Sequence, residues 1–313
     1  MKPFYRFIDS KKLWKLSPNK EIDEIIFVVA NLLHNAIDII EDEKERLDIA
    51  NIFLLSGEKA MASTAFKEAF TYLKTGMKLL GQGAWKTQYN LALRLHYITA
   101  KAAYSAGKSA EMSNVMDIVI ENAKTVLDLT NIFCLKIKFH CDARRFDDAI
   151  STGKTILDKL GENLCFKPVT ELDINKTKNL IIEKSDKISI LKTMDDERLI
   201  AVAEILYRMM LSSYFSNPTL LLSITNRMIQ MTFEFGISKA CSLCFCVFGM
   251  HLCSRQDNLG FRFGSIALTL IEKNQAKEII PWVLQGFYTG ISPYYCSIHE
   301  STDKIYKAYK IGK

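Results

Sequence analysis

Three times in its first half the chain repeats one pattern: a stretch with aliphatic residues three and four apart, a short turn, and a second stretch that opens on small residues. The units read GEKAMASTAFKEAF from Gly57, GKSAEMSNVMDIVI from Gly107 and ARRFDDAISTGKTIL from Ala143. Spacings of three and four put the aliphatic residues on one face of an α-helix. A pair of such helices cannot bury its apolar faces alone. Pairs of this kind stack, and a stack presents a groove to another protein.

Nothing in the covalent chain interrupts such a succession. Of the six prolines none falls between Asn19 and Lys167, so no missing N–H breaks the helices there. Alternating apolar and polar runs, the mark of half-buried strands, are nearly absent. The expected fold is all-α: a tetratricopeptide-like right-handed superhelix of antiparallel helix pairs. A first helix is expected from about 21 to 40 after the Ser17-Pro18 start signal, then pairs at 43–56 and 60–79, 87–106 and 109–127, and 130–144 and 146–160. Their equivalent turn positions, Gly57, Gly107 and Arg144, are 50 and 37 residues apart. Ala62 and Ala149 fall where paired helices cross closely. Pairs resume at 196–214 and 218–235 and at 238–254 and 257–273, with terminal helices at 278–290 and 296–310. The domain plan is therefore a basic arm (1–20), a first repeat block (21–160), a polar connection holding Pro168 (161–195) and a second repeat block (196–313).

The formal charge of +6 is concentrated: residues 1–20 carry six Lys or Arg against Asp9 alone. The rest is close to neutral, which argues against a nucleic-acid binder. The eight cysteines are irregularly spaced and follow no secretory signal, because the early apolar patch is broken by Arg6. A reducing, cytoplasmic location is expected. The longest apolar run, CSLCFCVFGMHLC from Cys241 to Cys253, is too short to span a bilayer, so no stable membrane insertion is expected.

The run ERLDIANIFLLSGEKAMASTAFKEAFTYLKTGMKLLG (Glu45 to Gly81), then Trp85, Tyr89 and LALRLH (Leu91 to His96), resembles the helical-repeat region of large signalling proteins. Those proteins fuse a protein-kinase-like domain, a STAND-type AAA ATPase, a GAF domain and a histidine kinase. The likeness continues through FDDAI (Phe146 to Ile150), YFSNPTL (Tyr214 to Leu220), FGISKA (Phe235 to Ala240), GFRFGSIAL (Gly260 to Leu268) and Trp282. It implies a regulatory, non-catalytic interaction segment, with a protein partner or neighbouring domains of a larger signalling chain. The ATPase, kinase and GAF parts of that architecture are not in these residues.

Candidate chemistry is sparse. STGKT (Ser151 to Thr155) ends like a phosphate-binding loop, yet Asp148 stands where the loop needs glycine and a helix start precedes it instead of a strand. No nucleotide or other cofactor is expected. Cys241, Cys244, Cys246, His251 and Cys253 contain a CxxC and enough soft ligands for zinc, which makes a zinc-dependent module or an enzyme the rival reading. Since these cysteines share one apolar helical run, small buried packing residues are expected and no metal. His140, Cys141 and Asp142 are consecutive, so on a helix their side chains diverge and make no nucleophile–base contact.

The expected partner-binding surface is a pair of stripes at helical spacing. Asn90, Arg94, Tyr97 and Lys101 recur opposite the apolar Leu91, Leu95, Ile98 and Ala102, and Lys136, His140 and Arg144 repeat the arrangement on the next first helix. Lying together on a concave side, they are expected to form a basic wall for an acidic segment.

Overall fold

The computed structural model describes residues 22–162, 168–274 and 276–312, and among these it is all-helical, with fifteen α-helices, short 3-10 turns and no strand. The basic arm at 1–20 lies outside the described residues. The chain separates into two compact units, Met1–Leu135 and Lys136–Lys313. The dividing line falls inside one helix, and the described residues of the polar 161–195 segment fall in the second unit.

The first unit holds α1 (Ile22–His34), α2 (Glu43–Ala62), α3 (Phe66–Leu80), the single turn α4 (Ala84–Thr87), α5 (Tyr89–Ser105), α6 (Ser109–Asn122) and the first part of α7 (Val126–Asp142). Asp42 caps α2 by accepting the Glu45 N–H at 2.8 Å, satisfying one of the donors a helix start leaves free. The fully buried Phe53, Leu73, Leu95 and Met112 form the core between the pairs. Tyr89 ties α5 to α7: its hydroxyl donates to Asp128 at 2.7 Å and accepts the Lys124 N–H at 2.8 Å.

One sequence expectation fails here. Gly57 is not a turn; it is buried in the middle of α2, where the missing Cβ admits the Leu73 side chain of α3. The helix therefore runs six residues further than expected, to Ala62, which is exposed at its end. Fully buried Ala69 and Ala149 occupy the small-residue positions near the starts of α3 and α8 (Phe146–Lys159).

With that correction the turns obey one rule. Thr64, Gly107 and Arg144 adopt left-handed φ values of 59°, 72° and 56°, and stand 43 and 37 residues apart. In each the following N–H reaches back five residues: Ala65 to Ala60 O at 2.9 Å, Lys108 to Ala103 O at 2.8 Å and Arg145 to His140 O at 2.8 Å. This is the Schellman closure, which satisfies carbonyls that a helix end leaves unpaired. Gln256 (φ 59°) repeats it later, with Asp257 N–H on Leu252 O at 3.0 Å.

The second unit continues from Lys136 with α8, α9 (Glu171–Lys184), α10 (Glu197–Ser216), α11 (Pro218–Phe235), α12 (Cys241–Ser254), α13 (Leu259–Asn274), α14 (Ile280–Gly290) and α15 (Ile298–Gly312). The segment expected as a polar connection is built into this unit. Thr170 and Asp173 cap each other at the start of α9, and Thr177 donates a buried hydrogen bond to Asn226 of α11. Met194 N–H and Ile237 N–H then exchange bonds with Ile237 O and Lys192 O at 3.0 and 2.8 Å. By length and composition α10 is the one described helix apolar enough to cross a membrane; here it packs between α8 and α11.

Candidate functional site: a groove across four first helices

In the second unit the first helices of successive pairs, α7, α10, α12 and α14, lie side by side, and each meets the next through a buried thiol. Cys141 of α7 is hydrogen-bonded to Ser212 of α10. Cys244 of α12 points at Met210 Sδ of α10 from 3.8 Å, and Cys246 of α12 at the Val283 carbonyl of α14 from 3.6 Å. A thiol is a small, soft apolar group, so it lets neighbouring helices approach closely without stranding a hydrogen-bonding group. Burial pushes the Cys241 and Cys246 thiols up to about 12 and that of Cys244 well above its ordinary value. None of them is poised as a nucleophile, since the reactive species is the thiolate.

The four helices, with Leu221 of α11, wall an open cavity of about 520 Å³. Its floor is Cys246, Met210 and Met250; its sides carry Leu211, Tyr214 and Phe215 of α10 and Trp282 of α14, which remain 46%, 62%, 60% and 56% exposed. Phe215 is held in place by stacking on Phe146, ring centres 5.1 Å apart. These four large side chains stand exposed around one cavity, a contiguous patch and not scattered surface residues. Both cations of the lining already hold carboxylates: Lys138 binds Asp142 at 3.2 Å and Arg208 binds Glu204 at 2.7 Å. Sequence reasoning did not find this groove. Leu211, Tyr214 and Phe215 stand at i, i+3 and i+4, a spacing that a core face produces equally well.

The stripes expected from the sequence fall in separate units. Along α5 Asn90, Arg94 and Lys101 are exposed and Tyr97 is half-buried. The Arg94 guanidinium grips Glu58 of α2 with two hydrogen bonds of 2.9 and 2.8 Å. In the second unit Lys136 and His140 lie on α7, but Arg144 does not extend their stripe: the helix ends at Asp142, and Arg144 is the left-handed residue of the turn. His140 is drawn below its ordinary pKa by burial and by Arg145 and Lys136, against the opposing pull of Asp148. Its Nδ1 is buried without a hydrogen-bond partner, with the Asp148 carboxylate 3.9 Å away.

The cysteine run makes no converging ligand set. Cys244 and Cys246 face Met210 and Val283 as above, and Cys253 faces the Tyr295 hydroxyl at 3.9 Å. Among the described residues no group of three or more His, Cys, Asp or Glu is arranged to hold a metal ion. His140, Cys141 and Asp142 diverge toward Asp148, Ser212 and Lys138. STGKT lies inside α8, where a Cβ on Gly153 would strike Met209 of α10. Helix packing accounts for that glycine.

The chain is 25% identical over 305 residues to hybrid signal transduction histidine kinase G of Dictyostelium discoideum. The similarity is to a signalling protein. It takes in 85% of this chain and 9% of the relative, so the chain spans a small part of that protein's length. No family model matches the sequence, and no solved structure matches it.

Proposed function

We propose that this chain is a non-catalytic interaction and regulatory segment of a signalling protein of the STAND ATPase and histidine kinase kind, acting in the cytoplasm and stacked in the tetratricopeptide manner. The observation that carries this reading is the groove: four first helices in succession, joined by thiols, with Leu211, Tyr214, Phe215 and Trp282 exposed around an apolar floor. The repeated Schellman turn between paired helices supports the repeat, and the similarity to a signal transduction kinase supports the setting. The chain works without nucleotide or metal in this reading.

The stripe of Asn90, Arg94, Tyr97 and Lys101 on α5 is a second surface, of the first unit alone, for an acidic segment; Lys136 and His140 stand apart from it in the second unit. An acidic partner there would have to displace Glu58, which already holds the Arg94 guanidinium in bidentate geometry. A photoreactive benzoylphenylalanine replacing Tyr214 tests the primary reading in cells. A discrete protein adduct, lost when Trp282→Glu is added, is the expected result. Absence of a protein adduct, or one indifferent to Trp282→Glu, overturns it.

A further inference from the structure

We infer that the groove is dimensioned for one α-helix of a partner, lying across α7, α10, α12 and α14, with bulky apolar residues on its docking face and no net charge. The inference rests on the protein-binding reading above and names the form and chemistry of what is bound.

The dimensions come first. Along the walls the lining runs from Tyr207 to Phe215 on α10, from Leu243 to Met250 on α12 and from Trp282 to Thr289 on α14. At 1.5 Å per residue each stretch is roughly 12 Å long, which matches the 10–12 Å diameter of a helix with its side chains. In the other direction three helix–helix spacings separate α7 from α14. Packed helices sit about 8–10 Å apart, so the groove crosses roughly 25–30 Å, the length of about 17–20 helical residues. An extended strand occupies only about 5 Å of width. It would leave more than half of the groove wet.

The chemistry of the walls follows. Leu211, Tyr214 and Phe215 make a ridge on one side and Trp282 stands on the other, over a floor of Met210, Met250 and Cys246. Ridges of this kind interdigitate with apolar residues at i, i+3, i+4 and i+7 of an opposing helix, and thioether floors adapt to the shape of what lies on them. Charge narrows the partner further. Lys138 is bound to Asp142 and Arg208 to Glu204, so each lining cation lies beside a carboxylate. A strongly acidic or strongly basic segment must break one of these pairs and then face the released like charge. The first twenty residues of the chain, with five net positive charges, fail on this count. A helix with balanced charges does not.

The probe is a displayed library of random 20-residue peptides, panned against the whole purified chain and against its Trp282→Ala and Leu211→Ala variants. These side chains are half exposed, so unchanged melting temperatures verify that the variants remain folded. The expected binders carry large apolar residues at i, i+3, i+4 and i+7 with net charge near zero, gain helical circular dichroism on binding, and lose affinity about tenfold on either variant. Raising salt from 0.05 to 0.5 M leaves that affinity within about twofold, because no unpaired charge is engaged. Binders that are proline-rich, strongly charged with a steep salt dependence, or indifferent to both variants overturn the inference, as does a library with no enrichment. If Tyr214 photo-adducts form while the selected peptides bind extended, the protein-binding reading stands and the helical one falls.

Discussion

Gly249 of α12 and Gly260 of α13 bring two helix backbones into contact: a Cβ on Gly249 would lie 2.9 Å from the Gly260 carbonyl oxygen and 3.2 Å from the Gly264 nitrogen. On its other side α12 meets α14, where Gly286 and Gly290 leave room for Cys246 and Met250. The cysteine-rich helix is thus clasped between two glycine-notched neighbours. That fixes it as the centre of the groove's floor.

Backbone cannot step aside as a flexible side chain can. Gly249→Ala is therefore expected to cost about 3 kcal/mol, the upper end of overpacking penalties. The nearest atoms to a Cβ in Gly153→Ala belong to the Met209 side chain, which can swing, and the change is expected to cost about 1 kcal/mol. Urea denaturation of both variants checks the order. Equal losses would mean that the α12–α13 contact is looser than described.

The left-handed turn residues give a prediction of opposite sign. An L-residue in that region loses roughly 1–2 kcal/mol to Cβ crowding, part of which glycine gives back through a more flexible unfolded chain. Thr64→Gly and Arg144→Gly are expected to raise stability by about 0.5–1 kcal/mol each. Thr64 stands to gain more because its Cβ is branched. A fall in melting temperature for both would remove the shared turn geometry as an account of the repeat.

Three histidines contribute to the acid limb of stability. Burial draws His96 below its ordinary pKa of 6.5 against the pull of its bond to the Ala92 carbonyl, and burial likewise lowers His140 and His251. The unfolded chain therefore takes up these protons first. Their contribution is complete above pH 6.5 and is lost as the pH falls below it. The melting temperature is expected to drop from pH 7.5 to 5.5, and His96→Phe, which removes the most buried of the three, should flatten that slope. A profile equally steep in the variant would assign the loss elsewhere.

Purified chain is expected to bind neither ATP nor zinc. Calorimetry with micromolar ATP should give no binding isotherm, and one that disappears on Lys154→Ala would restore STGKT as a phosphate site. Elemental analysis should find no stoichiometric metal, and chelators should leave the melting temperature unchanged. One zinc per chain would require Cys241 to Cys253 to rearrange from the diverging directions they hold now.

The helices were legible because their signal is local. Apolar spacing and the proline-free stretch place most ends within a few residues, and Asn217-Pro218 opens α11 as its side-chain cap at 3.0 Å requires. Gly57 misled because glycine serves two purposes. It breaks helices, and it also admits a neighbour's side chain; only the position of Leu73 tells which. The groove stayed hidden for a similar reason: the spacing of Leu211, Tyr214 and Phe215 suits a core face as well as an exposed one, and only the helix order brings them and Trp282 around one opening. Arg94 reads from its spacing as part of a basic wall, although Glu58, 36 residues away, already holds it.

The thiols at the helix junctions carry a further consequence. Cys141, Cys244 and Cys246 are buried and raised in pKa, so alkylation of each is slow until its own junction parts. Their labelling rates form a built-in clock for three adjoining seams. Equal rates would mean that the second unit breathes as a single cooperative body. A graded series would mean that it unzips from one end, one helix pair at a time.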